Sequence, residues 1–439
     1  MTHDERSELA RIAEGRGAGP YRWVVLAGAA FGAAAFSGLR MGLPSLGPAI
    51  RTEFGLSLGQ VGIAFAAVAL GTMLTLIPWG MLADRVGERL VLATGLIGTA
   101  GAMVWAANAG SYAAFVAALT LAGAAGAAAT GASGRAVMGW FGWRERGTAL
   151  GLRQMALPLG GAIGSVVLPR LAGSSGLAAA FLSLAGAMAI AALVCAVLLR
   201  EPPQRPAVIA PLPTTPPLRD RRQWRLGVGS AFLVLAQGSM LGFLVLYLVD
   251  QHGVEPAAAA LVLAAAQLLG AAGRVRAGRV SDREERRIAP IRRRGLMSGA
   301  LLLVMAVTQL GWPASPAWFA APLGVAAAVA TMTWNGLSFT AAGEIAGRAR
   351  AGTAMSLQNT IVAVGSAVGA PLFGALVDAA GWPVAYAVLA LGPLMAWLVL
   401  APLEVDESSR VRSRRERIDA SLAGLTPDDG RAARGSLVG

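Results

Sequence analysis

Stretches of 18 or more apolar residues recur along almost the whole chain, and a soluble core cannot absorb so many. As a helix, each is long enough to cross about 30 Å of hydrocarbon. Twelve fall near residues 22–43, 58–82, 90–109, 112–138, 147–169, 176–199, 226–249, 255–277, 295–311, 318–343, 352–377 and 384–403. Strands are excluded, because strands in lipid need barrel closure and show short alternating segments, not continuous Ala, Leu, Val and Gly. The chain is 55% hydrophobic and only 14% charged, whereas soluble domains carry roughly 25% charged residues. The expectation is an all-α, multi-pass membrane protein with twelve transmembrane helices.

Arginine distribution orients the spans. All 37 basic residues are arginine, and they cluster in the N-terminal tail, at 85 and 89, at 144 and 146, over 200–225, over 274–294, at 348 and 350, and after 403. With alternating helices these clusters share one side, and the opposite side keeps only Arg51 and Arg170. The positive-inside rule then places both termini in the cytoplasm and the chain in the cytoplasmic membrane. The net charge of +13 does not point to nucleic acid, since the arginines are scattered over short loops without interleaved aromatics. The 274–294 segment, with three arginines at 292–294, is the best candidate for contact with lipid headgroups.

The lone Cys195 permits no internal disulfide. His3 and His252 are too few and too separated for a metal site or a catalytic dyad, so neither metal nor cofactor is expected. A GxSxG match at Gly55–Gly59 lacks the strand-turn-helix setting of a nucleophile elbow. The first 22 residues are polar and of mixed charge, unlike a signal peptide.

Two segments recur. GMLADRVGER at 80–89 aligns with GRVSDREERR at 278–287, pairing Gly80 with Gly278, Asp84 with Asp282, Arg85 with Arg283 and Arg89 with Arg287. RGTALGLRQMALPLGGAIG from Arg146 aligns with AGTAMSLQNTIVAVGSAVG from Ala351. The chain therefore reads as two parallel six-helix repeats, 22–199 and 226–403. They are joined by a proline-rich cytoplasmic linker at 200–225 and flanked by tails at 1–21 and 404–439, the latter charged and expected to be disordered. Parallel repeats of this kind support alternating access around a site between the halves.

The loop motif between the second and third spans, its weaker copy between the eighth and ninth, the six-plus-six arrangement and the WFGWRERGTALG lead into the fifth span together resemble the major facilitator superfamily of secondary transporters. The resemblance covers roughly 22–403 and says little about substrate. It implies a small-molecule substrate, a monomer, and a gating role for the motif. Asp84, at the cytoplasmic end of the second span, would meet the positive N-terminal end of the eleventh and hold the cytoplasmic side closed. Arg85 and Arg89 would pair with acids or lipid phosphates. Gly80 and Gly87 would permit close approach and a tight turn. Glu285 replaces the second glycine in the other copy, so the same turn is not expected there.

Polar residues inside spans are costly in lipid and usually face a cavity. Arg153 and Gln154 are the leading candidates, with repeat partners Gln358 and Asn359 at matching depth. Arg40, Arg135, Asn335 and Gln237 join them, each with an alternative as an interfacial or interhelical contact. Trp334, Tyr247 and Gln267 are further polar positions in the spans. No Asp or Glu lies well inside a span of the first half. Arginines and amides without acids favour an anionic substrate, and they leave a coupling proton without an evident carrier. The competing reading is proton-coupled drug efflux. Against it stands QMALPLGG in the fifth span, which lacks the glycine and proline spacing common in efflux members of the family. A membrane-embedded enzyme or a sensor is a remoter alternative, because neither a clustered nucleophile and base nor an output domain is visible.

Overall fold

The computed structural model describes residues 19–141, 146–200, 217–284, 286–346 and 351–423. The side chains of several helical residues, among them Asp84, Arg135, Gln154 and Asp282, lie outside that description. All regular structure among the described residues is helical. Its order is α1 (Arg22–Gly42), a short 3-10 turn, α2 (Gly47–Phe54), α3 (Leu58–Val86), α4 (Glu88–Ala107), α5 (Tyr112–Trp140) and α6 (Arg146–Leu198). It continues with α7 (Arg221–His252), α8 (Pro256–Glu284), α9 (Ile288–Gly311), α10 (Ala317–Met332), α11 (Asn335–Ala346), α12 (Ala351–Val399) and α13 (Ala401–Ala423). Ten helical runs among these residues are long and apolar enough to cross a membrane. Their outward faces keep large apolar side chains such as Leu193 (64% exposed) and Leu310 (71%), an exposure that suits a hydrocarbon solvent and not water.

Two runs double back on themselves. In α6, Gly176 leaves helical geometry at φ 83° and ψ 164°, and in α12 Gly381 does the same at φ 80° and ψ 169°. Residues 373 and 386 would lie about 20 Å apart in a continuous helix, yet the rings of Phe373 and Tyr386 are 5.3 Å apart. Likewise Gly28 and Gly32 of α1 lie against Leu199 and Cys195, while Gly38 and Gly42 lie against Gly160 and Gly164. Both arms of α6 therefore run beside one helix. Gly87 makes a third turn of this kind, with φ 87° and ψ 161° between α3 and α4. Only glycine adopts that region at little cost. Between α8 and α9, Arg287 has φ −108°, the Arg286 N–H donates to the Ser281 carbonyl and the Ser281 hydroxyl donates to the Arg286 carbonyl. Glu285, which takes the place of Gly87 in this copy, lies outside the described residues.

The repeat is visible in helix crossings. Gly160 and Gly164 rest on the backbone of Ala34 and Gly38, and Gly365 and Gly369 rest on that of Ala231 and Leu235. These are one contact made twice, shifted by 205 residues on one helix and 197 on the other. Small residues let backbones approach where lipid offers no hydrophobic drive for association.

Two sequence expectations need correction. The 274–294 segment is not a loop, because α8 runs to Glu284 and α9 starts at Ile288. Arg292 there is committed to protein: it pairs with Glu404, donates from Nε to the Trp397 carbonyl, and lies 4.5 Å from the Trp397 ring centroid. The stretch after Glu404 is helical to Ala423. Its Glu407 carboxylate accepts the N–H groups of Arg287, Ile288 and Ala289, filling the otherwise unsatisfied donors at the start of α9.

Candidate functional site

The tenth span is interrupted. α10 ends at Met332, Thr333 and Trp334 form a turn, and helix resumes at Asn335. Such a break frees carbonyls that need donors, and Arg274 of α8 supplies one, its Nε donating to the Met332 carbonyl at 2.9 Å. Gly270 and Gly273 leave room for this approach, since a Cβ on either would come 2.7 Å from Met332 or Thr333 side-chain atoms. Beyond the break the Asn335 amide donates to Gln237 Oε1 at 2.9 Å. A second chain follows: Gln358 Nε2 donates to the Ser338 hydroxyl at 2.6 Å, which is 2.8 Å from the Ser230 hydroxyl. Gln358 Oε1 and the Trp334 indole nitrogen are buried without a partner among the described residues.

In the first half, Arg153 is 7% exposed in α6. Arg40 is exposed in α1. By the offset of the helix crossings, Arg40 is the positional equivalent of Gln237. Asn359 is exposed on α12, eleven residues before Ala370 and on the same helical face. The expected facing pairs are thus split: Gln358 is bonded within its own half, and Asn359 is open. The side chains of Arg135 and Gln154 lie outside the description. Arg274 was counted with the arginine-rich cluster, although it falls inside the 255–277 span.

The two halves meet on the side away from the arginines. There Gly62 meets Ala370, Gly374 meets Leu58, Gly47 meets Leu246, and Phe65 meets Phe243. Gln267 donates across the halves to the Met41 carbonyl and the Ser165 hydroxyl. On the arginine-rich side, no described atom stands within 4 Å of where a Cβ on Gly278 would be. Arg85 and Arg283 are exposed, and Arg89 donates from Nε to the Ala196 carbonyl at 2.6 Å. The side chains of Asp84 and Asp282 are outside the description.

A family model for the Major Facilitator Superfamily matches residues 26–370 and again 291–436. The chain belongs to the major facilitator superfamily. An uncharacterised MFS-type transporter of Mycobacterium tuberculosis (strain ATCC 25618 / H37Rv) is 32% identical over 86% of this chain and 84% of its own. A Cupriavidus necator protein described as "Probable sulfoacetate transporter" is 27% identical over 84% of this chain and 91% of its own. The Bacillus subtilis hexuronate transporter is 26% identical over 55% and 60%. Among solved structures, a bacterial homologue of the human lysosomal transporter Spinster, in an inward-facing and unoccupied conformation, superposes with a TM-score of 0.71 at 19% identity, covering 89% of this chain and 97% of its own. This major facilitator protein is therefore a multi-pass membrane transporter of small molecules.

Proposed function

We propose that the transporter carries a small anion, organic or inorganic, across the cytoplasmic membrane by alternating access, using a site in the layer of Arg40, Arg153, Gln237 and Asn335. The observation that carries this reading is the presence of guanidinium groups at mid-helix with no carboxylate at their depth in the sequence of either half. A charge inside a span points to function, and an anionic cargo suits a guanidinium there. The relatives named for sulfoacetate and for hexuronate support the same class, since both compounds are anions. Arg135 and Gln154 belong to the proposed site by their positions in the fourth and fifth spans.

Melting of the detergent-solubilised protein against a ligand panel tests the class. Small sulfonates, uronates and other carboxylates are expected to raise the melting temperature, because a ligand at 100 times its Kd adds about 2.7 kcal/mol to a folded state. Stabilisation by organic cations alone would contradict the proposal.

A further inference from the structure

One guanidinium of the second half does more than the helix break asks of it. Arg274 lies well inside α8, about 15 Å before the helix ends at Glu284, and its Nε donates to the Met332 carbonyl. That bond uses one of the five guanidinium N–H groups. The four on Nη1 and Nη2 have no partner among the described residues. Asp282, the nearest acid along α8, follows eight residues later, about 12 Å away along the axis. Helical phase shows where the guanidinium looks. Gln267, seven residues earlier and within about 20° of Arg274 around the helix, donates across the halves to the Met41 carbonyl and the Ser165 hydroxyl. The exposed Leu268, Leu269 and Ala272 lie about 120° or more away from Arg274 around the same helix. Arg274 thus faces the first half and not lipid, and it is only partly buried. Its repeat equivalent, by the alignment of 80–89 with 278–287, is Leu76. The packing common to both repeats therefore does not call for the charge.

We propose that Arg274 binds a second acidic group of the cargo, which makes the transported anion a small dianion such as a dicarboxylate or a sulfonated carboxylate. This deepens the anion reading above and rests on it. Arg40 and Arg153 bring positive charge from the first half, and Arg274 brings it from the second. Gln267 ties α8 to the residue after Arg40, and Arg274 stands about 10 Å further along the same face. Two arginine side chains and a cargo of a few carbons bridge that span. The Met332 carbonyl holds the guanidinium through Nε, which leaves the Nη1–Nη2 edge to meet two oxygens of a carboxylate or sulfonate. A monoanion would leave one guanidinium without a counterion, which is costly away from water.

Ligand-induced melting of the detergent-solubilised full chain at neutral pH tests this with matched probes. Succinate is set against propionate, and sulfopropionate against propanesulfonate, so that each pair differs by one acidic group. Each dianion is expected to bind at least about tenfold more tightly than its monoanion, the scale of a hydrogen-bonded pair with a charged group. Arg274→Gln, whose amide can still donate to the Met332 carbonyl, should remove that preference. Arg274→Lys, which keeps the charge but not the fork, should reduce it. Arg276→Gln, at an exposed position on the opposite face of α8, should keep it. A lower melting temperature in Arg274→Gln with the preference intact would make Arg274 a prop for the break and overturn the proposal. If monoanions stabilise the parent protein and dianions do so no better, the anion reading stands and the dianion falls. If no anion stabilises it, both fall.

Discussion

Replacement of Arg153 by glutamine is expected to abolish anion binding while the protein stays folded in detergent. Arg153 is 7% exposed in the first arm of α6. Removing one partner of a desolvated charge pair costs roughly 2–5 kcal/mol, equivalent to a loss of about 30-fold or more. Arg153→Lys should fall between, because an ammonium keeps the charge but not the planar fork. Arg40→Gln should resemble Arg153→Gln, since both remove a guanidinium from the proposed site. Ligand-induced melting shifts on the three variants decide this. Wild-type affinity in all of them would move the anion site elsewhere.

Gly62→Val is expected to have an equally large effect by a different route. A Cβ at Gly62 would stand 2.5 Å from the Ala370 carbonyl oxygen and 2.8 Å from its carbon, both backbone atoms that cannot step aside. The contact joins the two halves and not two helices of one half. The variant should therefore fold, yet fail to close the side away from the arginines. Overpacking costs about 1–3 kcal/mol, so transport should fall roughly 10- to 100-fold while ligand-induced melting shifts persist. Normal turnover in Gly62→Val would mean that this contact does not form during the cycle.

Much of this architecture is legible in the residues because lipid leaves few alternatives. Continuous apolar runs must be helices, and a charged, glycine-bearing segment such as 80–90 must lie at their ends. The repeat shows for the same reason: Gly160, Gly164, Gly365 and Gly369 are fixed by backbone contact, so their spacing survives. The site is less legible. Arg274 sits near the end of its span, where hydropathy cannot separate a loop arginine from one that completes a broken helix. The break itself has weak local cues, since Thr333 and Trp334 are ordinary in a membrane helix. Gln358 looks like a cavity residue by symmetry, but its hydrogen bond to Ser338 depends on the neighbouring helix. Asp378 has no repeat partner, because the equivalent position is Gly173. Its bonds to the Leu58 and Gly59 N–H groups depend on where α3 begins in space. The helix after Glu404 was missed because its charges looked solvated, whereas Glu404 and Glu407 are held by Arg292 and the start of α9.

The central claim is transport of a small anion through the arginine layer, and flux in liposomes containing the purified protein tests it most directly. Saturable uptake of a labelled sulfonate or uronate, inhibited by the unlabelled anion and lost in Arg153→Gln, is the expected result. Saturable flux of a lipophilic cation, with no anion flux and no dependence on Arg153, would contradict the account.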